Sequence, residues 1–268
     1  MAEHLSLSLR DDDPWYISQN AYNIISAFIQ AKDQPDPLEA AKELGALAPA
    51  NRVLQEAEEA ESYVSFLLEF WELFLRIARQ VPHDHPAQDR LVQLVAELKE
   101  LPTSDVESDR VIWTSLEGLE NCVQESWIAP SDKEDTFEPL QEWVNLNSMV
   151  SRLYGAGLMD WYYFGIWTLR DSFETNDVSL SREDILSSRV SAAAEWIKYS
   201  GSRLLHLCET GESSLSEHTS LASAQFSGSS VLSPQRWAFW KAAFEKVADS
   251  NEQEEGLRAK ASRAASSM

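Results

Sequence analysis

Residues 143–173 read WVNLNSMVSRLYGAGLMDWYYFGIWTLRDSF. No other stretch gathers so many large apolar side chains. Trp143, Leu146, Val150, Leu153 and Tyr154 recur at helical spacing, which predicts a helix opening near Pro139. Proline suits the first helical position, because its missing N–H would be unpaired there anyway. Gly155 and Gly157 then mark a stop and a turn. A second helix, from about Met159, is apolar nearly all round, and such helices are buried. Trp167 is accordingly expected in the core, with Trp167→Ala costing ~3–5 kcal/mol. Arg152, Asp160 and Arg170 interrupt the stretch, and its apolar runs fall far short of the ~20 residues of a membrane span.

The same period governs the rest of the chain. Ala21, Ile24, Ile25, Phe28 and Ile29 form one face. A long helix is predicted over Asn51–Gln80, with Val64, Leu67, Leu68, Trp71, Phe74, Leu75 and Ala78 inward after Val53, Leu54, Ala57 and Ala60. Leu91, Leu94, Val95 and Leu98 mark another, and Leu116, Leu119, Cys122 and Val123 a further one between Trp113 and Trp127. Ser181 and Asp184 resemble a capping box for a helix carrying Ile185, Val190, Ala193, Ala194, Ile197, Leu204 and Leu205 to about Cys208. Ser233-Pro234 opens a last core helix with Trp237, Trp240, Ala243, Phe244 and Val247. No segment of length alternates with period two, so the fold is all-α with about eight to ten helices. At 268 residues the expected organisation is one helical domain over 14–248, with two subdomains as the alternative. Loose ends at 1–13 and 249–268 complete it.

Charge excludes some partners. Against 44 Asp and Glu stand 22 Lys and Arg, a net charge of −22. Residues 97–138 alone hold twelve acids and three bases. Such a surface repels phosphate backbones and anionic membranes, so neither nucleic acid nor a membrane is an expected partner. The acid excess serves solubility, or offers a dock for a basic protein. Cys122 and Cys208 match no metal spacing and read as small buried hydrophobes. The first ten residues lack a basic start and an apolar run. The expected compartment is therefore the cytoplasm, with the nucleus left open.

Two short motifs invite sharper readings. Asp11-Asp12-Asp13 suggests a metal site but precedes Pro14 with no evident mate, so it reads as the lead into a helix. Pro82-His83-Asp84-His85-Pro86 suggests a metal or proton-transfer site. The alternative is an interhelical turn in which Asp84 or His85 caps the next helix, and the lack of a full ligand set favours it. No phosphate loop, nucleophile elbow or zinc-protease motif is present, so neither cofactor nor metal is expected.

The blocks HPAQDRLVQLVAELKEL at 85–101, Trp143 with Leu146-Asn147, and Arg236-Trp237 with Trp240-Lys241 together resemble a fungal family catalogued as domain of unknown function 3632. The resemblance runs from about Ile17 to Val247. It implies a helical intracellular protein, with some members lying among specialised-metabolism genes. It carries no catalytic residues to this chain.

Two functions follow as expectations. One is binding, or cofactor-free transformation, of an apolar small molecule among Trp143, Asn147, Trp161, Tyr162 and Arg170, with Tyr162 or Asp160 handling protons. Asn147, an amide amid Leu146, Met149 and Val150, needs a partner if buried, and a helix end or another side chain would supply one equally well. The other is a non-catalytic interaction module whose acidic faces, Glu56–Glu61 and Glu97–Glu138, receive a basic protein.

Overall fold

The computed structural model describes residues 4–52, 61–101, 113–130, 140–175, 182–211, 222–223 and 232–268. Among them are ten α-helices and one short 3-10 turn, and no strand. The fold is all-α. The chain divides into two compact units, Met1–Ile128 and Ala129–Met268.

The first unit holds α1 (Tyr16–Gln30), α2 (Pro37–Gly45), α3 (Tyr63–Gln80), α4 (Ala87–Lys99) and α5 (Leu119–Glu125). Its helix ends are closed by side chains. Asp36 accepts from Leu38 N at 2.9 Å ahead of Pro37, and Ser62 accepts from Ser65 N at 3.1 Å. Both are N-caps that satisfy otherwise orphaned donors. At the other end of α1, the Arg90 guanidinium donates to Ile29 O at 2.9 Å and Ala31 O at 2.7 Å, a cation where the helix dipole is negative. The 82–86 motif is a turn, with His85 Nδ1 accepting from Ala87 N at 3.1 Å. Trp71 is fully buried against the edges of Phe70, Phe74 and Trp113.

Several boundaries differ from the sequence reading. The helix predicted from Asn51 is seen as α3 from Tyr63, and Val53, Leu54, Ala57 and Ala60 lie outside the described residues. Val64 and Leu68, expected inward, are 58% and 38% exposed, because the buried stripe follows Phe66, Phe70 and Phe74 instead. The helix predicted between Trp113 and Trp127 breaks at Gly118, whose φ of 83° places it in the left-handed region that glycine adopts most readily. Trp71 Nε1 donates to Glu117 O at 2.9 Å at that break. The N-terminal residues are not loose throughout. Leu5 is buried, and Gln80 accepts from Ser8 N at 2.8 Å and donates to Ser8 O at 2.9 Å.

The second unit holds α6 (Leu140–Gly155), α7 (Tyr162–Phe173), α8 (Glu183–Thr210), α9 (Pro234–Asp249) and α10 (Glu255–Ser267). The 28-residue α8 is its spine and touches the other four. Gly201 does not interrupt it. Every residue of α6 from Glu142 to Tyr154 is buried. Gly155 ends α6 where a Cβ would fall 2.1 Å from Tyr199 O of α8, so only glycine allows this approach. Leu158 N then donates to Leu153 O, and Gly157 N to Tyr154 O, with Gly157 at φ 73°. This is the Schellman arrangement, which satisfies the last carbonyls of a helix.

Two expectations are corrected here. Beyond Asp249 the chain does not fray. It forms α10, whose Leu257, Ala261, Ala264 and Ala265 are buried at helical spacing. Trp167 is half-buried and not core, because α7 keeps Tyr163, Trp167 and Arg170 on a half-buried face while Phe164, Ile166 and Leu169 point inward. Its ring lies against Tyr163 and Phe164, with centroids 5.0 and 5.4 Å away. Trp167→Ala should therefore cost about 2 kcal/mol, well under the ~3–5 kcal/mol of a fully buried aromatic such as Trp240. Urea denaturation of the two variants side by side measures the difference.

Candidate functional site

The residues expected to line a pocket are packed against protein. Trp143, Trp161 and Tyr162 are each no more than 5% exposed, and Asn147 is fully buried. Asn147 donates from Nδ2 to Trp143 O at 2.9 Å. Its Oδ1 accepts from Thr168 Oγ1 at 2.8 Å and from Trp196 Nε1 at 2.9 Å. One amide thus ties α6 to α7 and α8, which is the partnered reading of this residue. Arg170 is half-buried and pairs with Asp171 at 2.8 Å. Tyr162 is buried and Asp160 is exposed in the turn before α7. Close by, burial pushes the Tyr154 phenol up to about 12, against the pull of the Arg203 guanidinium stacked 4.3 Å above its ring. That phenol stays protonated at neutral pH.

A second buried polar centre joins α7 to α9. Glu174, just past α7, receives Arg236 Nε at 2.8 Å, Arg236 Nη2 at 3.0 Å and Trp240 Nε1 at 2.7 Å. Both members of the ion pair have fully buried side chains. The fork of a guanidinium matches a carboxylate with two parallel bonds. The indole takes a further lone pair.

Directly beside this centre lies a cleft of ≈ 530 Å³, with Phe173, Leu186, Phe239, Ala243 and Val247 as its apolar wall and Lys246, Glu252 and Gln253 among its polar members. It opens between the end of α7, the start of α8 and one side of α9. Phe173 is held by the edge of Phe244, at 4.7 Å between centroids. Gln253 Oε1 is buried with no hydrogen-bond partner among the described residues. Clefts of 300–1,000 Å³ with an apolar wall and few polar groups are the usual form of a small-molecule site.

A cleft of ≈ 550 Å³ on the same unit is polar, with Arg182, Asp184, Ser187, Ser191 and Lys260 among its lining. Three of its charged side chains already have partners. Arg182 pairs with Asp184 at 2.6 Å, and Lys260 donates to Ser191 Oγ at 3.3 Å. The Arg182 contact holds the Asp184 carboxyl below the usual carboxylate range. Ser181, the expected partner in the capping box, lies outside the described residues.

None of Trp143, Asn147, Trp161, Tyr162 and Arg170 lines either cleft. The residues of the apolar cleft carried a signal of their own. Phe239, Ala243, Lys246, Val247 and Ser250 recur at helical spacing beside the core stripe of Trp237, Trp240 and Phe244. An apolar residue off the main stripe, such as Phe239, is the mark of a second face.

Among the described residues no three of His, Cys, Asp and Glu are grouped to hold a metal ion, and no helix is long and apolar enough to cross a membrane. Cys122 and Cys208 are free and buried. Burial pushes both thiols up to about 11. Since the thiolate is the reactive form, neither should take up iodoacetamide at neutral pH in the folded protein. Both should label fully in urea, as mass spectrometry would show.

No curated protein and no solved structure matches this chain. A family model does match, over residues 71–244. It spans Trp71, the Asn147 centre, the Glu174–Arg236 pair and the Phe173, Leu186, Phe239 and Ala243 part of the apolar cleft, and the chain belongs to the family described as "Protein of unknown function (DUF3632)".

Proposed function

We propose that this protein binds an apolar small molecule, and that the cleft bounded by Phe173, Leu186, Phe239 and Val247 receives it. The single observation that carries this reading is the apolar wall of that ≈ 530 Å³ cleft. Packed aromatics around Trp143 and Trp161 serve as its scaffold. The sequence resemblance to a family with members among specialised-metabolism genes supports the same direction.

The test uses N-phenyl-1-naphthylamine, a neutral apolar probe whose emission rises on leaving water. Its emission should rise with protein and saturate. The melting temperature should climb with probe concentration, by the ~2.7 kcal/mol that mass action supplies at a hundredfold excess over Kd. Ala243→Phe, which fills the half-buried wall, should remove both effects while the circular dichroism stays helical. The response should be nearly indifferent to salt. Probe binding that survives Ala243→Phe unchanged would discard the cleft.

The competing reading is a dock for a basic protein on the acidic surface. Its acidic stretches fall largely in residues 53–60, 102–112 and 131–139, outside the described residues. Such association would weaken steeply with salt, since exposed charges are screened within ~8 Å at physiological ionic strength.

A further inference from the structure

The polar groups of the apolar cleft restrict what can enter it. Two hydroxyls at its edge already have partners among the described residues. Ser172 Oγ donates toward Thr168 O at 2.7 Å and Arg189 O at 3.0 Å. Ser250 Oγ accepts from Glu252 N at 3.3 Å. The Glu174 carboxylate, next in sequence to Phe173 of the wall, is fully buried and holds Arg236 and Trp240. Two charged side chains line the cleft, Lys246 and Glu252, one of each sign and both exposed. The remaining polar side chain is the neutral amide of Gln253, with an acceptor atom that lacks a partner among the described residues. Its terminal torsion is broad and roughly two-fold, so the amide can turn its oxygen toward the cleft.

Resting on the binding function proposed above, we infer that the ligand is a neutral apolar molecule carrying one hydroxyl, which donates to the Gln253 amide oxygen. A carboxylate would have to leave water for an apolar wall facing a single exposed lysine. Exposed charges are attenuated by solvent and cannot offset that desolvation. The net charge of −22 further opposes an anion at longer range. An ammonium meets the same desolvation, with Glu252 at the rim as its only lining carboxylate among the described residues. A neutral hydroxyl loses little on entry and supplies the donor that the amide lacks.

Four probes of one shape separate these cases: naphthalene, 2-naphthol, 2-naphthoate and 2-naphthylmethylammonium, titrated by equilibrium dialysis at pH 7. Naphthol should bind about tenfold more tightly than naphthalene, the factor that one net hydrogen bond supplies. Both charged probes should bind more weakly than naphthol. Gln253→Leu should bring naphthol down to the level of naphthalene and leave naphthalene unchanged. Naphthoate binding best, with the advantage lost in Lys246→Gln, would overturn the inference and leave the binding function intact. The same holds for the ammonium probe best and Glu252→Gln. So would unchanged naphthol affinity in Gln253→Leu. If none of the four binds, or if Ala243→Phe leaves their binding unaltered, the binding function itself falls and this inference with it.

Discussion

Glu174→Ala should destabilise the second unit by about 3–5 kcal/mol, the range for breaking a buried ion pair from one side. The guanidinium of Arg236 would stay in a site with no exposure but without the carboxylate that receives two of its nitrogens. Trp240 Nε1 would lose its acceptor as well. Arg236→Ala should cost a similar amount, because it strands the carboxylate instead. The pair as a whole is a different matter. Two charges removed from water carry a desolvation cost that their attraction roughly matches, so Glu174→Leu with Arg236→Met should recover most of the loss. Trp240→Phe keeps the packing and deletes one bond, and should cost about 1 kcal/mol. Urea denaturation of the four variants measures all of this. A loss below ~1 kcal/mol for Glu174→Ala would show that water reaches the site.

Trp196→Ala should cost about 3–5 kcal/mol, as for other fully buried large aromatics. The indole has no exposure and lies flat on Gly165, where a Cβ would sit 2.6 Å from Cε3. α7 therefore approaches α8 only because residue 165 has no side chain. The ring also donates to Asn147 Oδ1 at 2.9 Å. Trp196→Phe separates the two contributions. It keeps most of the packing, and should cost about 1 kcal/mol for the lost bond plus the smaller ring. Asn147→Leu removes the acceptor that Trp196 and Thr168 share, and should cost ~2–3 kcal/mol. Combined with Trp196→Phe, the loss should fall short of the sum, because both changes break one bond. Additive losses would mean that the amide and the indole act independently.

The all-α class was legible because helical period is a local property. Leu91, Leu94, Val95 and Leu98 need only their spacing to declare a face, and all four are fully buried. The Ser233 cap and the Gly157 stop are equally local, and the structure shows both. Neighbours decide other matters. Val64 and Trp167 are as apolar as the residues beside them, yet they stand on faces that the packing leaves partly open. The short, alanine-rich α10 reads as polar, and its buried Leu257 and three buried alanines matter only because α8 and α9 lie against it.

The candidate site shows the same division most sharply. That Asn147 needs a partner could be read from an amide set among apolar residues. Which partner it finds depends on Thr168 and Trp196, 21 and 49 residues away. Glu174 and Arg236, 62 residues apart, carry no mark in the sequence that would join them. The apolar cleft is likewise assembled from α7, α8 and α9. By itself the sequence determined the all-α class, most of the helical faces and the acidic charge, since these follow from composition and from spacings of three and four residues. Only the tertiary structure decided which polar groups are spent on one another and which face a cleft, because side chains distant in sequence pair only once the helices have packed.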